Sequence, residues 1–117
     1  MPVIYHITPR PDWDAARAAG SYTADSLNTE GFIHCSTATQ VIVTANRLYR
    51  SRAGLVLLCI DSASVKAAIR YENLEGGADL FPHVYGALEI DWVVAAHDFP
   101  PQSDGSFALP SALRKLG

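Results

Sequence analysis

Residues 31–37, Gly-Phe-Ile-His-Cys-Ser-Thr, form the stretch around which the rest of the chain is organised. Successive side chains of a β-strand point to opposite faces, so Phe32, His34 and Ser36 share one face of a predicted strand at 31–36. An imidazole and a hydroxyl therefore lie side by side on that face. This arrangement predicts a strand that carries chemically useful groups.

Two other short apolar segments carry a histidine in the same way. Residues 3–8, Val-Ile-Tyr-His-Ile-Thr, predict a strand whose face with His6 and Thr8 lines a cleft. Residues 81–86, Phe-Pro-His-Val-Tyr-Gly, predict a third such segment with His83 at its centre. We predict that the three segments meet and that their imidazoles build one site.

The length and composition indicate one folded domain. A chain of 117 residues is long enough for a single core and too short for two comfortable ones, so residues 1–117 are predicted to form one domain. With 49% hydrophobic and 18% charged residues, extended disorder is disfavoured. The order of short apolar segments and amphipathic segments is typical of an α+β fold rather than a regular βαβ alternation.

The predicted sheet is strongly curved and either mixed or antiparallel, with two or three short helices. Residues 55–60 are apolar on both faces, which indicates a central strand. Residues 21–30 are predicted to be a loop with at most one helical turn. Strands are predicted at 3–8, 31–36, 55–60, 69–72, 81–86 and within 88–96, a flexible break at 75–77, helices at 11–19 and 38–50, and a terminal helical turn or strap at 109–116.

The charge and the cysteines restrict the partners. A net charge of -3 provides no basic field for a nucleic-acid backbone, so general nucleic-acid binding is disfavoured, whereas a small nucleotide needs only one or two local cations.

No apolar run approaches the length that crosses a bilayer, and no basic segment precedes an apolar one at the start. Cys35 and Cys59 lie in apolar runs and are expected to be buried free thiols. A cytoplasmic location is the expectation.

Several side chains are candidates for chemistry, each with a structural alternative. Ser36 is either a hydrogen-bond donor to a ribose or the N-cap of the helix that follows. Tyr85 shares a face with His83 and offers an aromatic platform for a nicotinamide or adenine ring. Glu72 ends a strand before a glycine-rich break and is the best carboxylate candidate, although a solvated edge position explains it too. His97 is interpreted as structural.

These segments carry a family resemblance. Residues 4–8, 31–37, 55–61 and 81–86 resemble the small bacterial family known as domain of unknown function 952, and the second and fourth of these motifs are specific. That family resembles in turn the ADP-ribosyltransferase superfold, especially the branch that contains the RNA 2′-phosphotransferases. The resemblance implies a split, curved sheet whose cleft holds NAD.

The resemblance also implies roles for single residues. His6 would hydrogen-bond the ribose or the amide of nicotinamide, His34 would take the second histidine position, and Ser36 would match the small polar residue after it. Thr8 and Tyr85 would join these residues in binding the cofactor. A carboxylate, Glu72 or Glu89, would stabilise the ribosyl centre as nicotinamide leaves.

Three hypotheses follow for the function. The first is an NAD-dependent ADP-ribosyl or related ribosyl transferase in which His6, His34, Glu72 and His83 are catalytic. The second is a non-catalytic module that binds a nucleotide or a similar metabolite, because Ile7 replaces the glycine at which the backbone approaches nicotinamide in the related enzymes. The third is a metal-dependent hydrolase whose ligands are the same three histidines and Glu72.

Overall fold

The computed structural model describes residues 3–73, 79–110 and 113. Two elements of the sequence prediction, the break at 75–77 and most of the terminal segment at 109–116, lie outside these residues. The strands are β1 Val3–Pro9, β2 Ser21–Tyr22, β3 Ile33–His34, β4 Leu55–Asp61, β5 Ala68–Glu72, β6 Phe81–Tyr85, β7 Leu88–Glu89 and β8 Val93–Asp98; the helices are α1 Arg10–Ala19, α2 Asp25–Glu30 and α3 Val41–Leu48, and a 3-10 turn covers Ile90–Trp92.

The core is built on both faces of the sheet β1-β4-β8, whose central strand is β4. Alternation along β4 directs Val56, Leu58 and Ile60 into one apolar cluster, and Leu57 and Cys59 into a second cluster on the other face. All of these side chains are buried. The prediction of a central strand buried on both faces is therefore confirmed.

A second sheet, β3-β6-β5, carries the remaining predicted site strands. It joins the first sheet through Tyr5 and Ser36, whose backbone groups exchange two hydrogen bonds of 2.8 Å. Strands β2 and β7 form a separate pair. Every strand pairing between described residues is antiparallel, so the fold is α+β with a split antiparallel sheet.

The helices follow local signals in part. Helix α1 has Pro11 in its first turn and ends at Gly20, which adopts the left-handed conformation, as the sequence predicts. Helix α3 begins later than predicted and has no side-chain cap; Gln40 occupies the N-cap position. The segment predicted as a loop at 21–30 contains β2 and α2.

The apolar run 88–96, predicted as one strand, is divided between two sheets. Leu88 and Glu89 pair with β2, whereas residues from Val93 onward pair with β4, and the 3-10 turn makes the change of direction. Residues 88–92 alternate apolar and acidic side chains and residues 93–96 are all apolar, and because both patterns suit a strand, the sequence does not show where the run divides. No helix among residues 3–73, 79–110 and 113 is long and apolar enough to span a membrane.

Candidate functional site

A cleft of about 790 Å³ opens where β1, β3 and β6 meet, and α1, α2 and α3 contribute to its walls. Its volume lies in the range of small-molecule sites, about 300 to 1,000 Å³. The three predicted histidines all line it, although 77 positions separate His6 from His83 in the chain. The lining also includes the other predicted site residues Thr8, Ser36 and Glu72.

His6 lies deep in the floor of the cleft and has partners on both ring nitrogens. Its Nδ1 is 2.6 Å from the carbonyl oxygen of His34, and its Nε2 is 2.7 Å from the hydroxyl of Tyr22. The Tyr22 hydroxyl also forms a 3.0 Å hydrogen bond with Thr8. Burial lowers the pKa of His6 from 6.5 to about 4, so its imidazole is neutral at neutral pH.

Glu72 forms the centre of a second hydrogen-bonded group. Its Oε1 accepts a hydrogen bond of 3.0 Å from Nδ1 of His83 and one of 2.6 Å from the hydroxyl of Tyr85. These hydrogen bonds hold the pKa of Glu72 below its usual value, the Tyr85 bond being the larger cause, and the carboxylate in turn raises the pKa of Tyr85. The guanidinium of Arg70 lies 5.0 Å from the centre of the Tyr85 ring. Glu72 is thus a fixed carboxylate.

Aromatic rings pack around the histidines. Phe32 stacks on His83 with 4.2 Å between ring centres and an interplanar angle of 19°, and it meets His34 edge-on at 4.8 Å. The rings of His34 and His83 lie edge-to-face at 5.2 Å. His83 is 4% exposed, whereas the side chain of His34 is 43% exposed and bonds through Nε2 to Glu30. His34 is therefore the imidazole that a ligand reaches first.

The α3 side of the cleft is polar and basic. Ser36 and Thr44 place their hydroxyl oxygens 3.5 Å apart on this wall, and Arg47 and Arg52 contribute positive charge to it. The Arg52 guanidinium lies 5.7 Å from the centre of the Tyr49 ring. An anionic group entering the cleft meets favourable charge on this side.

The surroundings of four predicted residues decide between the roles that were expected of them. Tyr85 is not among the lining residues; its hydroxyl supports Glu72 instead of presenting a platform for a ligand ring. Thr8 is 1% exposed and its hydroxyl is engaged by Tyr22, so it supports the floor. Ser36 lines the cleft and is not the N-cap of α3. Glu89, the alternative carboxylate, lies on β7 and does not line the cleft.

Several residues of the site were not identified from the sequence as site residues, among them Phe32, Tyr22, Glu30 and Arg52. Phe32 was placed on the correct face by strand alternation, and that face was the available signal for it. Tyr22 was interpreted only as an apolar anchor of a loop, because its partner His6 lies 16 residues away. Glu30 ends the six-residue helix α2, where the sequence predicts at most one helical turn, and its carboxylate bonds to the imidazole of His34 on β3.

The histidines and Glu72 do not assemble as a metal site. Among the described residues, no group of three or more His, Cys, Asp or Glu side chains has an arrangement that could hold a metal ion. The reason at His6 is that both of its ring nitrogens are already hydrogen-bonded within the protein. The two cysteines, Cys35 and Cys59, are buried free thiols, and burial raises their pKa to about 12 and about 11.

Comparisons with known proteins place the chain among relatives of the same fold. The model of a family described as protein of unknown function, DUF952, matches residues 7–96. The crystal structure of protein CC0527 from Caulobacter crescentus is 34% identical, with a TM-score of 0.85 over 96% of this chain and 98% of that one. The solution NMR structure of CC0527 is 36% identical, with a TM-score of 0.80 over 91% of both chains. No curated protein matches the chain. The resemblance to ADP-ribosyltransferases is not tested by these comparisons and stays a prediction.

Proposed function

This chain belongs to DUF952, a family of unknown function, so its function has to be inferred from the cleft. We propose that the protein binds NAD in the cleft and transfers the ADP-ribosyl group to an acceptor. The observation that carries the proposal is the fixed carboxylate of Glu72 beside the imidazoles of His34 and His83 in one cleft. Residues from distant parts of the chain supply these groups. A carboxylate with paired imidazoles in a concave site is typical of catalytic centres.

Two parts of the cleft lining suit the two charged parts of NAD, while the lining as a whole has four carboxylates, of Asp12, Asp25, Glu30 and Glu72, and two arginines. Its nicotinamide ring is flat and positively charged, and the wall with Phe32, His34 and Glu72 offers aromatic faces and a negative charge. Its pyrophosphate is anionic, and the α3 wall supplies Arg47 and Arg52. These residues would hold the dinucleotide.

The chemistry assigns separate tasks to the side chains. NAD, when bound, would supply the reacting bond, which joins C1′ of its ribose to nicotinamide. In the transfer this bond breaks, an oxygen or nitrogen of the acceptor bonds to C1′, and the acceptor loses a proton. The carboxylate of Glu72 stabilises the positive charge that develops at C1′. Glu72 accepts from Nδ1 of His83, and the other ring nitrogen, Nε2, would take the proton of the acceptor. Tyr85 and His83 keep the carboxylate ionised and oriented.

Calorimetric titration with NAD, combined with chromatographic measurement of nicotinamide release, tests the proposal. We expect wild-type protein to bind NAD and release nicotinamide, and Glu72→Gln to retain binding while release slows by about a hundredfold or more, as when one electrostatic contact to a transition state is lost. Glu89→Gln is the matched control, because Glu89 is an exposed glutamate outside the cleft lining. An absence of binding at millimolar NAD would overturn the proposal.

One observation favours a second candidate, a binding module without catalysis. The Oε1 atom of Glu72 already accepts two hydrogen bonds, from His83 and from Tyr85. This engagement restricts the approach of a ribose to the carboxylate. NAD binding without release of nicotinamide, with equal affinities for wild type and Glu72→Gln, would support this second function over the first.

A further inference from the structure

Three buried side chains and one carbonyl form a continuous hydrogen-bonded chain beneath the cleft. It runs from the Thr8 hydroxyl to the Tyr22 hydroxyl at 3.0 Å, to Nε2 of His6 at 2.7 Å, and from Nδ1 of His6 to the carbonyl oxygen of His34 at 2.6 Å. Thr8, Tyr22 and His6 are at most 8% exposed. The chain thus links β1, β2 and β3 inside the protein.

Only one arrangement of protons satisfies the chain when His6 is neutral. The carbonyl of His34 can only accept, so Nδ1 of His6 carries the proton. Nε2 then accepts, and the hydroxyl of Tyr22 must donate to it. The single proton of Tyr22 is thereby used, so in the 3.0 Å contact between the two hydroxyls Thr8 is the donor, although the positions of the oxygens alone favour Tyr22 as the donor. Each member fixes the role of the next.

The strand that receives this chain is short, and its neighbours Phe32 and Cys35 are held from other sides, by Ser26 on the Phe32 carbonyl and by the Pro82 carbonyl on the Cys35 amide. Strand β3 contains two residues, and it pairs with β6 through Ile33↔Val84 and His34↔His83. On its other side, the backbone of Ser36 reaches β1 at Tyr5. The hydrogen bond from His6 thus ties β1 to His34 itself, the residue whose imidazole faces that of His83.

We propose that Tyr22 and His6 are a positioning pair for His34: the Tyr22 hydroxyl donates to Nε2 and fixes the orientation of the His6 ring, and Nδ1 of His6 holds the His34 backbone so that its imidazole stays beside that of His83. Neither Tyr22 nor His6 needs to touch a ligand for this role. The kinetic consequence of the pair rests on the proposed function, whereas its structural consequence does not. His6 is on this account a positioning residue.

Ring resonances measured by NMR on isotopically labelled protein test the pair without any ligand. In wild type, we expect Nδ1 of His6 to be protonated and Nε2 to be unprotonated and hydrogen-bonded. In Tyr22→Phe, which keeps the ring and removes the hydroxyl, the Nε2 signal moves downfield because its lone pair loses a donor, and the ring signals of His34 and His83 shift. Tyr71→Phe is the matched control, because Tyr71 is 46% exposed and does not line the cleft.

Kinetics with NAD then measure the consequence for the reaction. We expect Tyr22→Phe to lower kcat for nicotinamide release by about tenfold and to change KM by less than about threefold, because a displaced His34 shifts the neighbouring imidazole of His83, the proposed base, more than it weakens binding. If the wild type releases no nicotinamide, the proposed function fails, and the NMR comparison still decides the positioning pair.

One NMR result contradicts the proposed positioning role of Tyr22. If the His34 and His83 signals of Tyr22→Phe coincide with those of Tyr71→Phe, Tyr22 does not position His34, whether or not NAD is turned over. Should Tyr22→Phe fail to fold, Thr8→Val provides the second variant, since it removes the donor to Tyr22 and suits a strand. In Thr8→Val, a downfield shift of the His6 Nε2 signal that is smaller than the one expected for Tyr22→Phe supports the pair, and an unchanged signal contradicts it.

Discussion

At the scale of single residues, the chemistry of the cleft depends on which polar atoms already have hydrogen-bond partners within the protein. Both nitrogens of His6 and one oxygen of Glu72 have internal partners, whereas His34 is half exposed. Sequence alternation was sufficient to place Phe32 and His34 on one face. It could not show that the Tyr85 hydroxyl bonds to Glu72, because that contact depends on the pairing of β5 with β6.

The Tyr85 hydroxyl is predicted to set the acidity of Glu72. Its hydrogen bond favours the ionised carboxylate, so Tyr85→Phe should raise the pKa of Glu72 toward its ordinary value. Titration of the Glu72 carboxyl carbon by NMR measures this change, with Tyr71→Phe as the control that removes an exposed hydroxyl. Equal midpoints in wild type and Tyr85→Phe would show that the hydroxyl does not stabilise the charged carboxylate.

At the scale of elements, the sequence predicted the long strands and helices and failed where short elements depend on partners. Strand β1, helix α1 and strand β4 have clear periodicity, and their bounds agree with the prediction within one residue. Strands β2 and β7 contain two residues each and exist because they pair with each other. Helix α2 has six residues, too few for a periodic pattern to distinguish it from a loop.

The junction between α2 and β3 is predicted to require a glycine. Gly31 ends α2 at φ 89°, in the left-handed region, and an added Cβ would meet no atom within 4 Å. The cost of Gly31→Ala is therefore conformational, about 1 to 2 kcal/mol of unfolding free energy. Urea denaturation measures it.

The matched variant at the same position is Gly31→Asn, which should cost less because asparagine tolerates the left-handed conformation better than alanine. Both variants place the same new Cβ in open space, so the difference between them isolates backbone strain. If Gly31→Ala unfolds at the same urea concentration as wild type, the junction does not depend on the backbone freedom of glycine.

At the scale of the whole molecule, the site is a product of topology. The sequence placed each histidine on a strand and predicted that the three strands meet, and the antiparallel pairings bring all three imidazoles to one cleft. The sequence did not predict the walls of the cleft. Arg52 comes from a turn, Tyr22 from a two-residue strand and Glu30 from a short helix, and the positions of these elements follow from tertiary packing. What the cleft binds stays a prediction.

The buried neutral imidazole of His6 should make the whole fold sensitive to acid. Burial lowers its pKa from 6.5 to about 4, so between these values the unfolded chain binds a proton that the folded chain does not. Stability is therefore fully present above pH 6.5 and falls as the pH is lowered toward 4, with a contribution from His6 of about 3 kcal/mol.

Urea unfolding at about pH 7 and about pH 4.5 measures this loss, and His6→Gln identifies its source. A glutamine amide donates and accepts hydrogen bonds and does not titrate, so the variant should lose less stability on acidification than wild type. Carboxylates with lowered pKa, such as Glu72 and Asp104, contribute equally to both proteins and cancel in the comparison. His97→Gln, on β8 outside the cleft, controls for the loss of a histidine. Equal acid sensitivity in wild type and His6→Gln would mean that His6 is not held neutral by the fold.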